Sequence, residues 1–378
     1  MLYALLDWLQ QQYQPPGFGA FSFITTRTAF AAATALIISL LIGGRIIKWL
    51  EKMQLREVIR EDIGLDHHLD KAKTPTMGGV IILLATLVPA LLWMSLDNIY
   101  TWMIIITTLI LGLVGFADDY IKVVKKDKSG LHGKFKVIGQ VAVGLVLGAI
   151  LYWWPAFSEF NTLSTVPFLK DVNIDYAILG DTWSWLIYIP IVIFIVTAVS
   201  NAVNLTDGLD GLASGTSAIA GIILGIFAYV SGRVDFSGFL DIMYLPGTGE
   251  LTIFCASLVG ACMGFLWYNT YPAEVFMGDT GSLALGGAIG AVAVMISKEL
   301  LLPIICGIFF VETLSVIIQT TWFKYTKRKY GEGRRVFLMT PIHHHFEKKG
   351  WPESKIVVRF WIIAVLLGII SLLTLKLR

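Results

Sequence analysis

The sequence predicts an all-α polytopic membrane protein, and three observations carry that expectation. Apolar residues make up 56% of the 378-residue chain and charged residues only 15%, with a mean hydropathy of +0.72. A soluble domain carries roughly 25% charged residues, so this chain lacks the material for a water-facing surface. Apolar runs of about 20 residues, the length that crosses the hydrocarbon as a helix, recur throughout, and their lack of alternation excludes a transmembrane β-barrel. The cationic residues, finally, are distributed one-sidedly between alternate loops.

Ten runs qualify: 23–44, 78–96, 101–121, 137–155, 183–200, 212–231, 251–268, 281–297, 300–323 and 357–375. The segment before the first has no basic start and carries Asp7 and a Gln cluster, so it does not read as a cleavable signal peptide. "KAKTPTMGG" enters the second run, and "FADDYIK" closes the third. "NAVNLTDGLDGLA" joins the fifth to the sixth, and "NTYPAEVFMGDTGS" the seventh to the eighth. "RVFLMTPIHHHFEKKGW" lies between the ninth and tenth. No internal repeat is visible, and residues 1–378 read as a single integral membrane domain.

Of the 29 Lys and Arg residues, all but Arg27, Lys170, Arg233, Lys298, Lys376 and Arg378 fall on the loops after the first, third and ninth runs or their flanks. Positive residues mark the cytoplasm, so both termini are expected on the periplasmic side. The net charge of +2 adds little. Cys255, Cys262 and Cys306 lie in apolar runs and suggest neither disulfides nor a zinc site.

All five polar segments then fall on the cytoplasmic face, which points to one site at the inner membrane surface. Asp118 and Asp119 sit where the third span leaves the bilayer, where ionisable groups are costly and usually functional. Being adjacent, they point about 100° apart on a helix, and Asp118 makes an i,i+4 pair with Lys122. Asn201, Asn204, Asp207 and Asp210 recur every three residues, with Gly208 and Gly211 among them. Helix capping accounts for one or two of these, not four. Carboxylates and amides with no cation nearby in sequence suit a hard divalent ion, most simply Mg²⁺. Asp279 reads as a helix cap that also fits metal binding, and Phe276 as lipid-facing filler or a base-stacking aromatic. His343, His344 and His345 are consecutive and so seldom share one ion; phosphate contact or proton transfer is as plausible. Lys73, Lys122, Lys134, Lys136, Arg334 and Arg335 read equally as positive-inside residues facing anionic lipid. Acids for Mg²⁺ ringed by Lys, Arg and His form the apparatus of phosphoryl transfer, placed where a cytosolic phosphate compound meets a lipid phosphate. A secondary transporter for an anionic solute is the rival from another class, but its ionisable groups belong near the midplane.

From Lys71 to the last span, these five segments stand intact and in order, and the chain resembles the phospho-N-acetylmuramoyl-pentapeptide transferases of the polyprenyl-phosphate N-acetylhexosamine-1-phosphate transferase superfamily. "TPIHHHFE" and "FMGDTGS" favour this branch over relatives that transfer N-acetylglucosamine phosphate. The resemblance implies transfer of phospho-N-acetylmuramoyl-pentapeptide from its UDP carrier to undecaprenyl phosphate, giving lipid I and UMP, with Mg²⁺. It also implies ten helices with both termini periplasmic, a homodimer, and a place in the bacterial inner membrane among its lipids; no nucleic acid partner is expected. It makes Asp279 the metal ligand and Asp118 and Asp119 further metal or acceptor-phosphate groups. Asp207 would lie in the same centre, with Lys73 and His343 contacting phosphate or assisting transfer. Phe276 would stack on uracil, with Asn269, Asp210 and the backbone near Gly208 around the uridine. Asn201, Asn204, Lys122, Lys134, Gln319, His344 and His345 complete the expected substrate-binding set.

Overall fold

The computed structural model describes residues 1–53, 74–125, 127, 130–160, 162–169, 172–180 and 182–376. A short helix, α1 (Leu2–Tyr13), precedes α2 (Ile24–Lys52). Then follow α3 (Gly79–Trp93), α4 (Ile99–Val123), α5 (Gly133–Trp153), α6 (Trp185–Thr206) and α7 (Leu212–Ser231). After the short α8 (Val234–Leu240) come α9 (Gly249–Asn269), α10 (Gly278–Met295), α11 (Leu302–Ile305) and α12 (Gly307–Tyr330). The short α13 (Ile342–Lys348) and α14 (Glu353–Leu373) complete the order.

Eight of the described helices, α2, α4, α5, α6, α7, α9, α10 and α14, are long and apolar enough to cross a membrane. The pair Glu299–Ile305 and α12, bent by 84°, makes a ninth candidate. The chain is thus a polytopic helical membrane protein with eight to nine candidate spans, and two of the ten expected spans depart from a simple crossing. The run at 78–96 becomes the 15-residue α3, about 22 Å of helix against ~30 Å of hydrocarbon. The run at 300–323 is broken at Cys306. Pro303 sits in the first turn of α11, where its missing N–H costs nothing, and Gly307 opens α12 against Leu367. Uniform apolarity concealed this break, because hydropathy does not register a change of helix direction.

The all-α expectation also needs one correction. The loop after α5 holds a hairpin of β1 (Leu163–Thr165) and β2 (Asn173–Asp175), antiparallel with Ser164 opposite Ile174. Lys298 donates to Thr165 Oγ1 at 2.8 Å and ties this hairpin to the far end of α10.

The most enclosed span is α10, buried from Thr280 to Met295. Gly286, Gly287, Ala288, Gly290 and Ala291 give it a thin profile, so α4 and α6 pack closely on it. The other well-packed unit is α9 between α2 and α7. A two-pronged buried pair joins the starts of α2 and α9, with Arg27 donating to Glu250 at 2.7 and 2.9 Å and to the Trp93 carbonyl at 3.1 Å. The central position of α10 matters for function because its first turn carries Asp279.

Candidate active site

The end of α4 and the start of α10 bring Asp118, Asp119 and Asp279 together. One carboxylate oxygen from each lies within 4.8 Å of the other two, and among the described residues no other group of three acids, histidines or cysteines does this. Close backbone approach creates the arrangement. A Cβ on Gly115 of α4 would overlap the Asp279 carbonyl oxygen. Gly278 opens α10 at φ +71°, a conformation that favours glycine, and a Cβ there would lie 2.7 Å from Asp119 Oδ2.

The three acids have different partners. Asp119, 4% exposed, caps α10 from a neighbouring helix. Its Oδ1 accepts from the Asp279 N–H at 3.1 Å, and its Oδ2 from the Thr280 N–H at 2.9 Å and the Thr280 hydroxyl at 2.6 Å. Asp118 Oδ1 accepts from the Leu131 N–H at 2.8 Å. Asp118 Oδ2 meets the ammonium groups of Lys122 at 2.5 Å and Lys136 at 2.9 Å. Asp279 Oδ2 meets Lys136 and, at 3.4 Å, Lys122, while Asp279 Oδ1 accepts from Asn204 Nδ2 at 2.9 Å. Asn204 also donates to Ser282 Oγ at 2.8 Å.

The donor set fits a hard dication. Anionic oxygens converge, and the ammonium groups of Lys122 and Lys136 already bring positive charge to two of them. The three oxygens would have to draw in around an ion whose bonds to oxygen are as short as the roughly 2.0–2.1 Å of Mg²⁺. Asp118 and Asp279 face this charge directly, whereas Asp119 spends most of its accepting capacity on α10. Asp119→Asn is therefore expected to destabilise the protein by about 1–3 kcal/mol, read as a lower Tm in detergent. An unchanged Tm would contradict the capping role.

Residues 101–297 match the family model described as glycosyl transferase family 4. Residues 71–83 match signature 1 of phospho-N-acetylmuramoyl-pentapeptide-transferase. The chain is 55% identical over 378 residues to the phospho-N-acetylmuramoyl-pentapeptide-transferase of Chloroherpeton thalassium. It is 54% identical over 385 residues to that of Salinibacter ruber, and 51% over 411 to that of Flavobacterium johnsoniae. Each comparison covers 100% of both chains. The chain belongs to the phospho-N-acetylmuramoyl-pentapeptide-transferase family.

The described part of the transferase signature acts through its backbone. The Pro75 carbonyl accepts from the Phe276 N–H at 2.9 Å, and the Gly78 and Gly79 N–H groups donate to the Phe276 and Met277 carbonyls, both at 2.8 Å. This ladder fixes the turn that delivers Asp279 and leaves the Phe276 side chain half-buried. Lys73 lies outside the described residues.

Other expected site residues of the transferase are held by the fold in distinct ways. Asn201 donates to Gln140 Oε1 at 3.0 Å and to the Thr197 carbonyl at 2.8 Å, one turn before Asn204. Asp207 ends α6. Asp210 accepts from the Ala273 N–H at 3.0 Å, and its own N–H donates to Glu353 Oε1 at 2.7 Å. Buried Asn269 accepts from the Gly211 N–H at 3.1 Å and donates to the Val275 carbonyl at 2.9 Å, stitching the two motif loops together. Lys134 is exposed in the first turn of α5. Gln319 accepts from the Val336 and Phe337 N–H groups at 2.9 and 3.0 Å, beside a groove of about 340 Å³ that Lys324 and Arg335 also line.

The three histidines diverge. His343 is fully buried with Nδ1 3.1 Å from Glu312 Oε2; His344 Nδ1 lies 2.5 Å from Glu347 Oε2; His345 Nδ1 accepts from the Leu338 N–H at 3.1 Å. Desolvation, then the charge of Lys349, holds His345 below the usual histidine range, which suits an accepting nitrogen. Four residues beyond the expected set also take part: Lys136, Thr280, Glu312 and Glu353. For Lys136 a signal existed. The buried stripe of α5 runs through Gln140, Val143, Gly144 and Leu147, and its helical period extends back to Lys136 rather than Lys134.

Proposed function

We infer that this chain transfers phospho-N-acetylmuramoyl-pentapeptide from its UDP carrier to undecaprenyl phosphate, producing lipid I and UMP in peptidoglycan synthesis. Full-length identity above 50% to transferases of that name carries the reading, and the Asp118–Asp119–Asp279 cluster gives it a chemical centre. The direct test is UMP release by the purified protein, required to depend on both a polyprenyl phosphate and a divalent cation.

The residues suggest a one-step displacement. An oxygen of the lipid phosphate forms a bond to the sugar-linked phosphorus of the nucleotide, and the bond from that phosphorus to the oxygen of UMP breaks. The lipid monoester has a second pKa near ~6 and is mostly ionised at neutral pH, so it needs little help from a base. The obstacle is the approach of two anions. Lys122 and Lys136 lower it by holding positive charge at Asp118 and Asp279. Asp279 and Asp118, with Asp119 beside them, would hold Mg²⁺, which would supply neutralising charge for the phosphate oxygens. Asn204 and Asp119 keep the Asp279 turn in place. Phe276 is assigned to the uracil, with Asn269, Asp210 and the backbone near Gly208 around the uridine, and Asp207 to the acidic centre. A diphosphate is exchanged for a diphosphate, so the equilibrium lies near unity.

The remaining parts of this reading are a single domain of ten crossings in the bacterial inner membrane, both termini periplasmic, the site cytoplasmic and the enzyme a homodimer. The one-sided Lys and Arg distribution supports the orientation. It is tested with cysteines at Gly238 and Gly133, where an added Cβ meets nothing within 4 Å. An impermeant thiol reagent applied to intact cells is expected to label Gly238→Cys and not Gly133→Cys. The reverse pattern would place the site outside.

A further inference from the structure

Glu312 belongs to no motif discussed so far, yet it is fully buried within α12, in the apolar body of the protein. A carboxylate there is costly unless something uses it. Its Oε2 lies 3.1 Å from His343 Nδ1 and accepts from the His343 backbone N–H at 3.4 Å. His343 is fully buried too. Its Nε2, on the opposite side of the ring, sits against Gly208, where a Cβ would overlap it. The glycine in the Asp207–Asp210 loop thus makes room for the histidine.

The pair is poorly explained as a device for stability. Glu312 Oε1 and both ring nitrogens of His343 have no hydrogen-bond partner among the described residues, so Glu312 and Nδ1 stand at ion-pair distance without an aligned hydrogen bond. Two apolar side chains of similar volume would fill the space without orphaned polar atoms. What the pair does supply is position. The loop it supports is held at Asp210 by Glu353 and at Gly211 by Asn269. One turn before Gly208, Asn204 donates to Asp279. Gly208 is where α12 and α13, through His343, bear on the chain that also positions the acidic centre.

We propose that Glu312 is a positioning residue for the transfer, orienting His343 so that its ring fixes the Asp207–Asp210 loop and, through Asn204, the Asp279 carboxylate. A carboxylate 3.1 Å from Nδ1 that also accepts from the His343 backbone N–H draws the residue toward α12 and favours a proton on that nitrogen. Glutamine at 312 retains an accepting oxygen; alanine does not. The proposal rests on the transfer reading above.

The test measures UMP release for single and double variants at saturating lipid phosphate. Glu312→Ala is expected to lower kcat by about 10–100-fold, with KM for the nucleotide substrate changed less than about threefold. Glu312→Gln is expected to recover most of that loss. The double variant Glu312→Ala/His343→Ala should be no slower than His343→Ala alone, since residues acting as a unit are not additive. Wild-type kcat in Glu312→Ala, a Gln variant as slow as the Ala variant, or multiplying effects in the double variant would each overturn the proposal. Should Glu312→Ala fail to fold, Gly208→Ala pushes the ring from its other side. It is expected to slow the wild type at least about tenfold and to add nothing in a His343→Ala background; an equal slowing in both backgrounds would overturn the proposal. The wild type measured alongside separates the two readings: its failure to release UMP removes the transfer, whereas a normal wild type beside a normal Glu312→Ala removes only the positioning role.

Discussion

Replacing Asp279 with asparagine is expected to reduce turnover by about 10³-fold or more while the protein stays folded. The change is nearly isosteric and preserves the oxygen that accepts from Asn204 at 2.9 Å. It removes the charge at Oδ2, where the ammonium groups of Lys122 and Lys136 meet. Those two cations and any divalent ion would then share Asp118 and a largely committed Asp119. The loss should fall on kcat and on the divalent-cation dependence, because charge stabilisation at the reacting phosphates is what the variant lacks. Monodisperse elution in detergent and a Tm within a few degrees of wild type establish folding. Near-normal turnover would leave Asp279 a helix-terminal residue with no part in the chemistry.

The second large effect is expected at Lys136. Its ammonium group bridges Asp118 and Asp279, while Lys122 reaches Asp279 only at 3.4 Å. Lys136→Met keeps much of the side-chain volume and removes the bridge, leaving two carboxylates to repel each other in a partly buried site. Turnover should fall by about 10²–10³-fold. Higher divalent-cation concentration should recover part of it, because the ion supplies the missing positive charge. Exposed Lys125, just beyond α4, provides the comparison; Lys125→Met should stay within about threefold of wild type. Equal effects at the two positions would mean that general positive charge, and not the bridge, is what matters.

Much of this was legible in the sequence, for identifiable reasons. Apolar length is a one-dimensional property, so eight of the ten predicted runs correspond to full-length helices, most with ends shifted by a few residues and α2 continuing to Lys52. The break at Cys306 and the shortness of α3 were not legible, since both depend on neighbouring helices. Asp118, Asp119 and Asp279 were legible because carboxylates at the ends of apolar runs are conspicuous. Their division of labour was not: nothing local to Asp119 indicates that it caps a helix 160 positions away in the chain. The backbone near Gly208 was expected around the uridine, and nothing along the chain showed that the missing side chain makes room for the His343 ring. Glu312 was passed over because a single acid in an apolar run has no partner visible along the chain.

In the proposed reaction the lipid phosphate itself attacks, within a centre that aligns charge and forms no covalent bond to the substrate. The measurement that tests it most directly is single-turnover UMP release by rigorously delipidated enzyme, given divalent cation and radiolabelled nucleotide substrate in the absence of acceptor. The expected result is no UMP and no label on the protein until polyprenyl phosphate is added, after which both products appear together. A stoichiometric burst of UMP without acceptor, with label retained on the protein and lost in only one of the Asp118→Asn and Asp119→Asn variants, would establish a carboxylate nucleophile and contradict direct attack.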